Sequence, residues 1–552
     1  MQCMIFNRIG GCLMSSNSLM KGAAILTIGL FLSKAPGLIY IFPFYAIIGE
    51  SNVALYSYAY ITYSSMLTFA ISGAPNAVAK FVSKYNTLGD YDTGRRLMRS
   101  GLFVMLGTGL ISFIALFTLA TPIAEMVIKS EEQVFTVAQI ANVIRWLSLA
   151  LLVVPFMSLW RGFFQGYGIM TPTAISQLVE QIVRVAFLLT ASFLVMIVFS
   201  GKVETAISMA VFAAFVGAVA SMFVLLYYWR KYVPEFDRLR ATSVSSGDHI
   251  SMVTIYKEIL TYSIPFAFVG MADPLFQLVD MLTFNDAMTS IGLAKVTDDY
   301  FGMINFLTNK IVMIPVMLAS GLSMALIPVI TRYYTQGAQT SLRYTVDKTF
   351  QIILFVMLPA TVGIMTLSYE IYYAFYSKSE AGATILMHYA PIAILFALFA
   401  VTAALMQGIN YQKWVVFSLL TGIFMKLALN IPLIKLFAAD GSIIATGIGY
   451  TTAIAINVAV IVIVLNYRPT VVLKRFALIA LVTAAMAVVV LGVKWVLALI
   501  VGEPDTKWLA ILYVVVCAPV GALAYAAITL KIGLAQNVLG ERITRITNKL
   551  GL

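Results

Sequence analysis

The chain has 552 residues, of which 61% are hydrophobic and 11% charged, against roughly a quarter charged in ordinary globular chains, and this excludes a water-soluble fold. Three cysteines and two histidines are too few and too scattered for a disulfide framework, a thiolate metal site or zinc chemistry. A net charge of +12 reads, in a chain this apolar, as basic cytoplasmic loops rather than nucleic-acid binding.

Residues 1–21 form a cytoplasmic N-terminal segment whose first thirteen residues carry no apolar region of a secretory signal ahead of the polar run from Ser15, and Met14 is a candidate start. Apolar windows of about twenty residues then predict about fourteen transmembrane helices. The first six fall at 22–48, 54–79, 98–121, 136–160, 172–199 and 205–229. A turn-rich stretch, 230–257, follows as a cytoplasmic hinge loop. Six more lie at 258–284, 300–328, 349–373, 384–407, 414–436 and 441–465, and two last ones at 475–500 and 508–531. Residues 532–552 make a C-terminal tail. Most of the 36 Lys and Arg sort to the loops that share a side with both termini, which places the N- and C-termini in the cytoplasm.

The two sets of six repeat one another. A shift of ~242 residues aligns Gln165-Gly166 with Gln407-Gly408, Ser176 with Ser418 and Arg184 with Lys426. Spans one and seven each carry two prolines, Pro36 with Pro43 and Pro265 with Pro274, and proline frees a backbone carbonyl and bends a helix. The expected fold is an all-α polytopic membrane protein: an N-lobe (22–229) and a C-lobe (258–465) of six helices each, related by an axis along the membrane normal, followed by two C-terminal helices within 466–531.

Charged residues inside spans are costly, about 2.5–3.5 kcal/mol for a bare cation at the centre of a helix, so they must face protein or water. Lys34, Arg184, Lys310 and Lys426 are deep cations, and Glu180, Asp273 and Asp280 deep acids. Arg145 and Lys494 lie nearer the outer ends of their spans, where long stems snorkel to the headgroups. Glu180 and Arg184, four apart, are spaced for an intrahelical ion pair. Lys34 and Lys310 have no acid within helical reach on their own spans, so an anionic ligand competes with Asp273 or Asp280 as partner. Tyr56, Tyr58, Tyr60 and Tyr63 suit sugar rings and suit an interfacial tyrosine belt equally well.

The strings Leu32-Ser-Lys-Ala-Pro-Gly-Leu38, Phe69-Ala-Ile-Ser-Gly-Ala-Pro-Asn-Ala-Val-Ala-Lys-Phe-Val-Ser-Lys-Tyr85, Trp160-Arg-Gly-Phe-Phe-Gln-Gly166 and Asn309-Lys-Ile-Val-Met-Ile-Pro315 resemble the polysaccharide-transporter branch of the multidrug/oligosaccharidyl-lipid/polysaccharide exporter superfamily. Within it they are similar to the YtgP/SpoVB group of Gram-positive bacteria, which includes MurJ-type lipid II flippases. The resemblance implies two lobes in a V, a groove for a lipid tail on the last two helices, and undecaprenyl-pyrophosphate-linked disaccharide-pentapeptide as cargo turned to the outer leaflet. It carries the family's cationic positions onto Lys34 and Lys310. Two further family arginines fall near Tyr40 and Ile61, neither of them basic, which leaves Arg161, Arg184 or Arg145 to compensate. Some members hold sodium between spans seven and eleven; the matching span-eleven positions are Lys426 and Asn430, whose ammonium takes the metal's place, so no bound metal is expected.

The expected function is therefore flipping of a lipid-linked peptidoglycan precursor by alternating access, with the lysines from the two lobes holding the pyrophosphate. Another lipid-linked glycan (a teichoic, capsular or spore-envelope precursor) is an alternative cargo, and cation-coupled drug export a weaker one, since it wants an acidic cavity. A membrane-embedded transferase lacks a positioned base, and no enzymatic activity or cofactor is expected. A non-transporting scaffold is excluded by no residue. Membrane lipids and cell-wall synthesis proteins are the expected partners.

Overall fold

The computed structural model describes residues 37, 40–71, 73–243, 257 and 267–539. Lys34, Pro36, Pro265, the N-terminal segment, residues 244–256 of the expected hinge loop and the C-terminal tail beyond residue 539 lie outside the described residues. Among those described, every regular element is helical. Eleven helical runs are long and apolar enough to cross a bilayer, and they coincide with expected spans three to six and eight to fourteen. The side chains they expose are large and apolar, among them Phe103, Ile111, Ile463, Val488, Leu499 and Trp508, as a lipid-facing surface requires. The protein is thus an all-α polytopic membrane protein. It divides into two compact units, one of Met1–Ile128 and Phe135–Pro274, the other of Lys129–Val134 and Leu275–Leu552.

The first unit contains α1 (Ile41–Ile48), α2 (Val53–Ile71), α3 (Ala74–Thr87), α4 (Tyr91–Val127), α5 (Val137–Ser148), α6 (Val154–Gly166), α7 (Thr171–Phe193) and α8 (Val203–Ala241). Local chemistry sets several of their ends. Gly73, at φ 67°, breaks the run between α2 and α3, and Pro75 opens α3, where a missing N–H costs nothing. Asp90 caps α4 by accepting from the Thr93 N–H, and Thr136 with Gln139 forms a capping box on α5. α8 runs through Ala241, well past residue 230, where the hinge loop was expected to start. The reason is packing: Trp229, Tyr232 and Phe236, on one helical face, stack against Phe163, Phe164 and Tyr167.

α6 meets α3 at glycines. A Cβ on Gly162 would sit 2.3 Å from the Pro75 carbonyl oxygen, and one on Gly166 would sit 2.6 Å from the Val82 Cβ. Only a hydrogen side chain permits backbones this close. Two of the strings that carry the family resemblance are therefore the two sides of one interface.

The second unit holds α9 (Ala272–Ser290) from Leu275 onward, α10 (Thr297–Gly302), α11 (Asn309–Thr335), α12 (Gln339–Thr366), α13 (Ser368–Phe375), α14 (Glu380–Tyr389), α15 (Ile392–Gly408), α16 (Gln412–Phe437), α17 (Ala439–Leu465), α18 (Thr470–Val501), α19 (Lys507–Lys531) and α20 (Leu534–Leu539). The repeat is visible inside it. Gly408, the counterpart of Gly166, abuts Ile330 of α11, with a 2.6 Å approach from its would-be Cβ to Cγ2. Likewise α16 lies along α17 as α7 lies along α8.

The hairpin α18–α19 is fastened to α12 and α13 at both ends. At one end Lys494 Nζ meets Glu370 Oε1 at 2.7 Å, Lys378 Nζ meets Asp505 Oδ1 at 2.8 Å, and Lys507 Nζ donates to the Tyr376 carbonyl. At the other, Tyr525 donates to the Phe355 carbonyl, Arg475 to Gln351, and Lys348 to the Asn537 carbonyl.

Candidate functional site

Transmembrane cations must be matched by acids, dipoles or ligand, and their environments differ sharply. In the first unit, Arg161 of α6 is fully engaged. Its Nη2 reaches Glu180 Oε2 and Ser221 Oγ, both at 2.7 Å, and its Nε reaches Ser176 Oγ at 2.9 Å. It clamps α6, α7 and α8 together. Glu180 thus pairs with Arg161 and not with Arg184, four residues along its own helix, because Arg161 offers a charge-assisted bond within a serine-lined crevice. Arg145 donates to Thr121 at 2.9 Å and lies over the Phe117 ring, bracing α5 on α4.

Arg184 is different. Its guanidinium lies 5.6 Å from the Tyr60 ring and forms no ion pair with any described acid. Tyr56 and Tyr60 stack at 5.9 Å, and the Tyr40 hydroxyl lies 3.4 Å from that of Tyr56. The residue reaches this aromatic wall because Gly217 of α8 lets α7 come close: a Cβ there would stand 2.7 Å from the Glu180 carbonyl oxygen and 3.0 Å from Arg184 Cβ. A half-buried guanidinium against a ring face has the chemistry to attract an anion that also offers a hydrophobic sugar face.

In the second unit, Lys310 opens α11 directly after a π-helical turn, Met303–Thr308, in which the Thr308 hydroxyl donates to the Met303 carbonyl. Such turns occur in spans where a side chain must be re-aimed, frequently at functional sites. The Lys310 ammonium lies 5.4 Å from the Phe306 ring. Asp273 occupies the first turn of α9, half-buried; the helical run breaks at Met271, just ahead of it and of Pro274. Pro43 falls within α1.

Asp280 is not available to Lys310. The Lys426 ammonium of α16 lies 2.7 Å from Asp280 Oδ2, 2.9 Å from the Phe276 carbonyl and 2.9 Å from Thr446 Oγ1. Asn430 Nδ2 donates to Asp280 Oδ1 and to Thr283, and Ser442 Oγ donates to Asp280 Oδ1 at 2.7 Å. Every one of these groups is in the second unit. Glycines again allow the approach, since Gly422 and Gly449 face one another across α16 and α17, and a Cβ on Gly449 would stand 2.6 Å from the Phe276 ring. The sodium that the resemblance implies for some members does not fit here: the oxygens that would hold it already surround a covalently attached cation.

Two features escaped sequence reasoning. Glu370, almost fully buried, takes Lys494, so Lys494 does not end among headgroups. The signal was present, an acid near the end of one apolar window and a cation inside another, but nothing in one sequence pairs them. Ser442 and Thr446, spaced i, i+4 in an apolar helix, were the other unread sign.

Residues 19–334 match the family described as polysaccharide biosynthesis protein, and 306–433 the family described as MatE. The chain is 41% identical over 535 residues to the lipid II flippase MurJ of Bacillus subtilis (strain 168), covering 96% of this chain and 98% of that one. Its fold is similar to a structure of the lipid II flippase MurJ in an inward closed conformation, with a TM-score of 0.62, 13% identity and coverage of 92% and 99%. It is similar also to an inward-facing multidrug resistance MATE family transporter, with a TM-score of 0.60, 14% identity and coverage of 77% and 92%.

Proposed function

The chain belongs to the polysaccharide biosynthesis protein family, and from that premise we propose that it is a lipid II flippase, moving the undecaprenyl-pyrophosphate-linked peptidoglycan precursor from the inner to the outer leaflet by alternating access. It is a transporter and not an enzyme. The observation that carries this reading is the identity to the Bacillus subtilis flippase along 96% of the chain. Two side chains support it chemically. Arg184 and Lys310 are cations in apolar helices with an aromatic ring alongside each, and both suit a diphosphate carrying a sugar. Lys34, the other cation the resemblance implies, lies outside the described residues. Arg161 and Arg145 are structural braces in this reading, held by Glu180 and by Thr121.

The protein resides in the cytoplasmic membrane of a Gram-positive bacterium, with both termini inside, and cell-wall synthesis proteins receive the flipped precursor. A potential positive outside assists an outward-moving anion by about 2.3 kcal/mol per charge per 100 mV. The test is depletion in a cell. Lipid II is expected to accumulate on the cytoplasmic face while other envelope polymers continue to be exported. Accumulation of a different lipid-linked glycan, with lipid II turnover unchanged, would assign that glycan as the cargo instead.

A further inference from the structure

The cluster around Lys426 has the composition of a cation site more than of an ordinary ion pair. An ammonium has three donors and no acceptor, and here three oxygens of different kinds meet it: a carboxylate (Asp280), a main-chain carbonyl (Phe276) and a hydroxyl (Thr446). A second carboxylate oxygen, Asp280 Oδ1, is held by Asn430 and Ser442. Asn430 Oδ1, on the same amide, is a buried acceptor with no hydrogen-bond donor. An oxygen-rich pocket of mixed carboxylate, carbonyl and hydroxyl ligands is what hard cations take. Lys426 is 1% exposed, and Asp280 supplies a single negative charge, so the pocket is balanced by one positive charge and not by two.

We propose that this pocket, formed by α9, α16 and α17, is a monovalent-cation site whose cation is the protein's own Lys426 ammonium, and that removing the side chain opens it to a free small cation such as sodium. The tethered charge competes for the pocket as an intramolecular ligand, at an effective concentration that dilution does not lower. The second unit is therefore complete without any ion from solution, and its stability and cycle do not follow the sodium concentration. This inference stands on the second unit's own geometry; its readout is unfolding, so it can fail while the lipid II reading survives, and the reverse.

The experiment is thermal unfolding of the purified full chain in sodium chloride against choline chloride at equal ionic strength. The unsubstituted protein is expected to unfold at the same temperature in both salts, and a rise confined to sodium overturns the proposal without recourse to any variant. Lys426→Ala is expected to unfold at lower temperature in choline and to regain on the order of 5 °C in sodium, saturably. Lys426→Met fills the volume without vacating it, and Lys426→Ala/Asp280→Asn removes the anion, so neither is expected to respond to sodium. A Lys426→Ala protein equally stable in the two salts, or a double variant that responds as the single one does, overturns the proposal.

Discussion

Arg184 and Lys426 stand at repeat-related positions, yet their surroundings answer their charges differently. Lys426 is enclosed by oxygens, whereas Arg184 rests on a tyrosine face with no described acid paired to it. Arg184→Ala and Lys310→Ala are accordingly expected to abolish flipping while leaving the amount of protein in the membrane unchanged, as measured by outer-leaflet lipid II against immunoblot. Wild-type flipping in either variant would remove that residue from the site. Lys494 carries the opposite expectation. Truncating it strands Glu370, which is 1% exposed and has an Oε2 without a donor, so Lys494→Ala should cost ~3 kcal/mol. Lys494→Ala/Glu370→Gln should recover most of this in a denaturation series. The deep charges were legible in the sequence because charge in an apolar run is conspicuous. Their partners were not, since Lys426 and Asp280 are 146 positions apart and Arg161 chose Glu180 across 19.

At the scale of elements, apolar length alone placed eleven of the expected spans, because a helix in lipid has no alternative way to satisfy its backbone. What apolar length could not show is how far a helix continues once it leaves the apolar zone. α8 extends to Ala241 on an aromatic face whose value depends on Phe163 and Phe164, some 65 residues away in sequence. Glycine contacts were partly legible, as the repeat had already aligned Gly166 with Gly408. Gly166→Leu and Gly408→Leu should each destabilise by about 1–3 kcal/mol through overpacking against Val82 and Ile330, seen as a lowered unfolding temperature. Two substitutions with markedly unequal effects would argue against equivalent roles in the two units.

For the whole molecule, the alkaline limit of stability has an identifiable contributor outside the spans. Tyr467, in the link between α17 and α18, is raised from its ordinary 10.0 first by burial and then by its hydrogen bond to Asp347. A phenol raised in the folded state stabilises fully below its unfolded value, and this is lost as pH climbs beyond it, because the unfolded chain releases the proton first. Stability should therefore decline above pH 10.0, and Tyr467→Phe should flatten that decline in unfolding measured against pH. The same accounting at neutral pH should leave the variant lower by ~1 kcal/mol, the worth of the lost hydrogen bond.

The last two long helices hang from their neighbours by fastenings at either end, some ionic and exposed, some through main-chain oxygens. Such a suspension is redundant. Any single exposed tie, Lys378 to Asp505 for instance, can be cut by drift with the others still bearing the hairpin, so its loss passes unnoticed until a second goes. Tolerance of single changes in this region would then conceal a steep intolerance of pairs, and a screen confined to one substitution at a time would mistake a shared support for a dispensable one.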